Sequence, residues 1–439
     1  MKNVNFFIKT VSIYCICFLS TTITVYSATK DMTNGKWTIR FNDETRKSEF
    51  VKDGTTILQD VSVKFKHNTS IIESTSYSDI KFSEENYSDA TGECKRFIIE
   101  YKNTENSTYP TIQQCFYLYP DKDYFLTDVF LLSSGTSKIE SNYIAPIYIE
   151  TQNRFLPQDA NNRFLFVPFD NDGFITYGSL PLSRGIDPTS LGVGRYARDT
   201  ISFEVTSIFN GETQEGLVIG SVEHDTWKSA IRMTGSPLSQ AYINKLECYS
   251  GATHSITRDA TDDNWLQPHG AVKGTKIKSA RMLVGLFDDW RTGMETFGDV
   301  NALIAPKREW NNPTPFGWNS WGGMERNINF DGVISVSDFI KENIQGKGHF
   351  GEDGLVFVGL DSFWDNLNWE QLEDFARHCV ANGQIPGIYW TPFNDWFPDN
   401  ERDIEGNNGY KYSQSHLKVN GQKRKLYGAG CMDPTAVED

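Results

Sequence analysis

The sequence predicts a multidomain protein, β followed by α/β: a large antiparallel β-sandwich and then the first part of a parallel (β/α) barrel. Three observations predict it. Residues 35–286 form a succession of short runs rich in Val, Ile, Phe, Tyr and Thr that alternate with period two, are divided by turn signals and show almost no helical periodicity. Beyond residue 315 the texture switches to short apolar runs separated by amphipathic stretches, the pattern of strands and helices in a parallel sheet. Each of those later apolar runs also ends in carboxylates, amides and indoles, which is where a barrel gathers its ligand-binding side chains.

The chain is expected to open with a signal peptide over residues 1–27. Lys2 and Lys9 precede a mostly apolar stretch, and Val25-Tyr26-Ser27 before Ala28 supplies a cleavage point. The stretch is short for a bilayer span and no later segment is apolar enough to cross, so the expectation is an exported chain without a membrane span. Formal charge moves from -15 to -17 on removal of the leader, with 40 Lys and Arg against 57 Asp and Glu. That acidity argues against nucleic acid or anionic membrane as partner, since both reward clustered Lys and Arg. Beyond the leader five cysteines remain, Cys94, Cys115, Cys248, Cys379 and Cys431, without the spacing of a zinc site or a disulfide framework. Pairing of Cys94 with Cys115 across neighbouring strands stays open beside the reading of isolated buried thiols.

The β-sandwich is assigned to residues 28–285. Trp37-Thr-Ile-Arg-Phe41 and Val61-Ser-Val-Lys-Phe65 alternate, and Asp53-Gly54 separates Phe50-Val51 from Thr55-Thr-Ile-Leu58 as a hairpin turn would. The runs at 97–101, 125–131 and 216–220 continue the series. Two loops combine acids with aromatics, one carrying Asp170 and Asp172, the other His224 and Asp225. Each is read either as a loop reaching toward a neighbouring cleft or as a turn with an interface histidine.

Residues 286–314 are assigned as linker, with a short helix allowed over 288–298 and three prolines between 305 and 315 favouring extended chain. The partial barrel is assigned to 315–439. Its strands are expected at 316–318, 355–360 and 388–390. One crossover helix is expected to start at Ser335 with Asp338 at its third position and Val336, Phe339, Ile340 and Ile344 on one face. The other is expected to be capped by Asn368 with Gln371 reaching back, to bury Trp369, Leu372, Ala376 and Val380, and to stop at Gly383. No glycine-rich phosphate loop follows the first strand, so a nucleotide-binding sheet is the weaker choice. Asp365, Asp395 and Asp399 read as turn or surface acids, and His349, His378 and His416 show no metal-ligand spacing, so no cofactor or metal is expected.

Gly317-Trp-Asn-Ser-Trp321, Leu360-Asp361 with Trp364 three residues on, Pro386-Gly-Ile-Tyr-Trp390 and Met432-Asp-Pro-Thr435 occur in this order. Together they resemble the α-galactosidase clan, glycoside hydrolase families 27 and 36, melibiase-like enzymes whose larger members set a β-domain before a TIM barrel. The resemblance implies retaining hydrolysis of α-linked oligo- or polysaccharide through two carboxylates. It implies substrate contacts from Trp318, Asp361, Trp364 and Trp390. Ser362 stands where the family's hydroxyl-reading pair has its second acid, which changes the hydrogen-bond pattern offered to a sugar.

The stretch from Phe316 onward is about half of the roughly 250 residues of a complete eight-stranded barrel. By the same resemblance neither the nucleophile nor the acid/base has a matching position, so the expectation is a chain truncated at its C-terminus that holds no catalytic carboxylate. The alternative is a non-catalytic secreted carbohydrate-binding protein.

Overall fold

The computed structural model describes residues 29–106, 108–154, 161–167, 178–182, 201–236, 239–251, 271–311, 316–348, 355–398, 401–404, 407–426 and 428–436. The expected leader, Asp170, Asp172, His349 and Asp399 lie outside the described residues. The chain divides into two compact units, Met1–Lys307 and Arg308–Asp439.

The first unit is an antiparallel β-sandwich. Its described residues form two large sheets of ten strands each. One opens as a meander of Thr29–Asn34, Trp37–Asn42, Lys47–Lys52 and Thr55–His67, then continues through Ile144–Ile149 to Ser239–Ser250 and Ser229–Ser236. The other runs from Asp79–Asp89 and Gly92–Lys102 through Thr111–Leu118, Tyr124–Leu132 and Met282–Phe287 to Gly216–Ser221. Period two does what the sequence says: Trp37, Ile39 and Phe41 are fully buried, while the residues between them are half-buried. Asp53 and Gly54 join Lys52 to Thr55 with φ of 48° and 81°, the doubly left-handed turn whose twist matches its strands. Rings meet edge-on between the sheets, Trp37 on Phe125 at 5.0 Å and Phe50 on Phe125 at 5.1 Å between centroids. Such pairs contribute about 0.5–1.5 kcal/mol each beyond the area they bury.

Helix Trp290–Ile304 fills the middle of the stretch 286–314 expected to be linker. Asp289 caps it by accepting from the Arg291 N–H at 2.9 Å. It lies close on the second sheet because glycines stand at the contacts: a Cβ on Gly220 would come 2.5 Å from the Phe297 ring, and one on Gly293 2.5 Å from the Phe287 ring. Trp290 stacks on Phe209 with centroids 4.5 Å apart.

Register settles the question left open for the cysteines. Cys115 is opposite Ile98, four residues along the strand from Cys94. At a rise of about 3.4 Å per residue that places the two thiols roughly 13 Å apart along the strand, beyond any disulfide. Both are buried and free.

The second unit holds a three-stranded parallel sheet, Gly317–Asn319, Phe357–Leu360 and Ile385–Ile388 in that order, with helices Phe330–Asn343 and Trp369–Ala381 as the crossovers. Three local readings need correction. The third strand, expected at 388–390, runs over Ile385–Ile388, so that Tyr389 and Trp390 follow its end and the pairing with Phe357–Leu360 is made by the residues before them. The first helix begins five residues before Ser335: Asn329 caps it by accepting from the Gly332 N–H at 2.9 Å, and the Ser335 hydroxyl instead donates back to the Asp331 carbonyl. Phe339, expected on its buried face, is exposed. In the second helix the capping box of Asn368 and Gln371 and the left-handed Gly383 are present. The buried face, however, is Phe375 and Cys379 with Leu372 beside them, whereas Trp369 and Val380 are exposed. Two apolar stripes run side by side on this helix, and the sheet covers the one shifted by a residue.

After the third parallel strand the chain turns antiparallel. Asn394–Asp395 pairs with Ala429–Cys431, which pairs with Lys425–Leu426.

Candidate functional site

The ends of the first two parallel strands are tied together by side chains. The Ser320 N–H donates to the Gly359 carbonyl at 3.0 Å, and its buried hydroxyl accepts from the Asp361 N–H at 2.8 Å. Asp361 is thereby held one residue past Leu360, half-buried. Its Oδ2 accepts from Asn319 Nδ2 at 2.8 Å and its Oδ1 from the Ser362 N–H at 2.6 Å. Asn319 is fixed in turn, because its Oδ1 accepts from the Trp321 N–H at 2.8 Å. Each carboxylate oxygen keeps acceptor capacity beyond these bonds, so an oriented anion faces outward beside an oriented amide.

Register shows which face the pair occupies. Asn319 is level with Gly359, and Gly359 with Gly387, across all three strands. A Cβ added at Gly359 would meet only the Trp318 carbonyl at 3.6 Å, and one at Gly387 only the Gly359 Cα at 3.9 Å. The floor next to Asn319 is therefore open backbone, the kind of place where a ligand can approach closely.

Trp318 is level with Val358 and, half-buried, packs into the core on the helix side with Val358 and Leu360. Trp364 is also half-buried against that core, and its N–H donates to the Asp361 carbonyl at 3.1 Å. Phe363 between them sits at φ 70°, a left-handed conformation uncommon for an aromatic, and stacks on Trp321 at 6.4 Å. Trp390, two residues past Ile388, is 70% exposed. Of the four residues named from sequence, the structure joins Trp364 to Asp361 through the backbone, places Trp318 on the opposite face of the strand from Asn319, and leaves Trp390 open. The residue that sequence reading missed is Asn319. Strand alternation was the available signal, since Asn319 and Trp318 must point to opposite faces.

A second polar cluster lies after the third strand. Asp395, expected to be a turn or surface acid, is fully buried: it accepts from Arg402 Nη2 at 2.6 Å, His416 Nε2 at 2.8 Å and the Phe397 N–H at 3.0 Å. Burial pushes its carboxyl up, but these donors outweigh that and hold it below the usual range. In the first unit, His224 Nε2 lies 2.7 Å from Asn301 Oδ1 and its Nδ1 3.5 Å from Glu204, which is the interface-histidine arrangement. Among the described residues no group of three His, Cys, Asp or Glu is placed to hold a metal ion, and no helix is long and apolar enough to cross a membrane.

No family model matches the sequence, and no curated protein does. Solved structures do resemble the chain in shape. The GH36 α-galactosidase AgaA from Geobacillus stearothermophilus matches with TM-score 0.47 at 10% identity over 92% of this chain and 61% of its own. An α-galactosidase from Lactobacillus brevis matches with TM-score 0.47 at 10% identity, over 93% and 60%. The α-N-acetylgalactosaminidase NagBb from Bifidobacterium bifidum matches with TM-score 0.48 at 11% identity, over 92% and 64%. The chain thus spans about three-fifths of the length of these structures. Identity at this level does not carry chemistry from one chain to another.

Proposed function

We propose that this chain is an exported glycoside hydrolase of α-galactosidase type, its parallel sheet belonging to a (β/α) barrel, and that it binds a sugar ring at the carboxyl ends of the parallel strands. The observation that carries the reading is the Asn319–Asp361 pair beside the glycine floor. Sugar hydroxyls both donate and accept; Asp361 offers lone pairs, while a flat backbone floor leaves room for a ring. The order of motifs from Gly317 to Thr435 supports the same reading. Trp390 supplies an exposed indole for the apolar face of a sugar.

Binding without hydrolysis is the second reading, and one observation favours it. Retaining hydrolysis needs two carboxylates about 5–5.5 Å apart. Among the described residues the polar partners of Asp361 are Asn319, Ser320 and Ser362, none of them an acid.

The test is calorimetric titration of the full chain with galactose and raffinose beside an assay on aryl α-galactoside. Asp361→Ala is expected to lose about 2 kcal/mol of binding, as for a hydrogen bond to a charged group, which is roughly thirtyfold in affinity. Unchanged affinity in that variant sinks the site. Binding with no turnover selects the second reading.

A further inference from the structure

The sandwich carries a cleft of its own, remote in sequence from Asp361. It opens where Gly92–Lys102, Thr111–Leu118 and Tyr124–Leu132 end side by side, with Thr111 level with Leu132 and Tyr101 with Ile112. It is an open depression of about 460 Å³, and Glu100, Lys102, Tyr109, Thr111, Leu132 and Ser133 line it.

The chemistry of the lining is specific. Glu100 is half-buried and fixed, one oxygen accepting from Gln113 Nε2 at 2.8 Å and the other lying 3.1 Å from Lys102 Nζ. Both oxygens retain acceptor capacity and the ammonium retains donors. The two charges cancel, so a charged ligand would leave one of them opposed, whereas a neutral ligand with adjacent hydroxyls matches acceptor and donor together. The Tyr109 ring is half-buried, packed against the sandwich core, and Leu132 adds a second apolar surface for the C–H face of a ring.

We infer that this cleft is a second saccharide site, taking a neutral hexose unit between the Glu100–Lys102 pair and the Tyr109 ring. It is independent of the parallel-sheet site. A protein acting on a polymer gains from holding a second unit of the same chain, because two weak sites on one molecule raise the effective concentration of the glycan.

The test uses the full chain carrying Asp361→Ala, so that the sheet site is weakened about thirtyfold, titrated with galactose and raffinose to about 50 mM. Saturable binding is expected to persist there and to weaken about tenfold or more on adding Glu100→Gln or Lys102→Ala. Lys102 is exposed, so its variant folds whatever happens at the half-buried glutamate. Galacturonate is expected to bind at least about tenfold more weakly than galactose. Absence of saturable binding in the Asp361→Ala chain overturns the inference, as does binding there that neither added variant changes. Galacturonate binding as tight as galactose overturns the neutral-ligand assignment. None of these outcomes depends on whether Asp361 itself binds sugar in the parent chain.

Discussion

His416 Nε2 donates to Asp395 Oδ2 at 2.8 Å with both side chains buried, and Arg402 Nη2 meets the other oxygen at 2.6 Å. Three segments that follow the last parallel strand are pinned at one carboxylate. The Tyr412 ring lies 3.6 Å from the Arg402 guanidinium carbon, and a Cβ on Gly430 would come 2.8 Å from His416 Nε2, so the cluster is tightly enclosed. Removing the acid takes from the buried His416 imidazole and the half-buried Arg402 guanidinium the carboxylate that both of them meet. Asp395→Ala is expected to destabilise the second unit by about 3 kcal/mol, read from denaturant unfolding followed by tryptophan fluorescence. A loss below about 1 kcal/mol would mean that the cluster is solvated in solution.

The same carboxylate gives a pH dependence with a definite sign. Burial raises the Asp395 pKa, but the Phe397 amide, His416 and Arg402 outweigh it and the net shift is downward. A carboxyl with a depressed folded pKa contributes stability that is present above its unfolded value, about 3.9, and lost as pH falls through the folded one. Acid unfolding of the second unit between about pH 4 and 2 is therefore expected to flatten in Asp395→Asn. An unaltered acid limb in that variant would place the responsible group elsewhere.

The sandwich was legible because alternation maps directly onto burial, as Trp37, Ile39 and Phe41 show. The strand-end position of Asp361 was legible for the same reason, since a continuous apolar run must stop before a polar residue begins. What the sequence did not hold was the choice between equivalent patterns. Trp369, Leu372, Ala376 and Val380 make as good a stripe as Leu372, Phe375 and Cys379; only docking on the sheet decides between them. The partners of Asp395 stand 7 and 21 residues away, a separation with no periodicity to reveal it. Asn319 was overlooked because its neighbour Trp318 is the more conspicuous side chain.

In the loop after Gly216–Ser221, His224 joins Asn301 of the helix to Glu204. Glu204 raises its pKa above the ordinary value, against the effect of burial, with Asn301 adding to the rise. The contribution to stability is therefore complete below about pH 6.5 and is lost as pH rises through the folded pKa. His224 is exposed, so the effect is small, below about 1 kcal/mol. Thermal melts of the parent chain from pH 5.5 to 8.5 are expected to show a downward step that His224→Gln removes; a step of equal size in both counts against the pair.

Cys94 and Cys115 are expected to stay reduced even after export or oxidative refolding. Burial pushes both thiols up, Cys94 to about 11 and Cys115 to about 12, so little thiolate forms, and register keeps the sulfurs apart. Peptide mapping without reductant would detect a Cys94–Cys115 bridge, and finding one would show that the register of Gly92–Lys102 against Thr111–Leu118 is wrong.

Two glycines of helix Trp290–Ile304 are expected to respond to alanine with opposite sign. Alanine in a helix interior is favoured over glycine by about 1 kcal/mol, because glycine loses more backbone freedom on folding. At Gly298, which is exposed, an added methyl meets nothing within 4 Å, so Gly298→Ala should realise most of that gain. At Gly293 the methyl would lie 2.5 Å from Phe287 Cδ2 and 2.8 Å from Val218 Cγ2. Phe287 is itself buried, its ring lying over the bare backbone of Gly285 in the space a Cβ would take. Overpacking of that kind costs about 1–3 kcal/mol and exceeds the propensity term, so Gly293→Ala should lower the melting temperature while Gly298→Ala raises it. Equal stabilisation by both would mean that the helix does not dock on the sheet through Gly293, and the close approach that gives this unit its third layer would have to be abandoned.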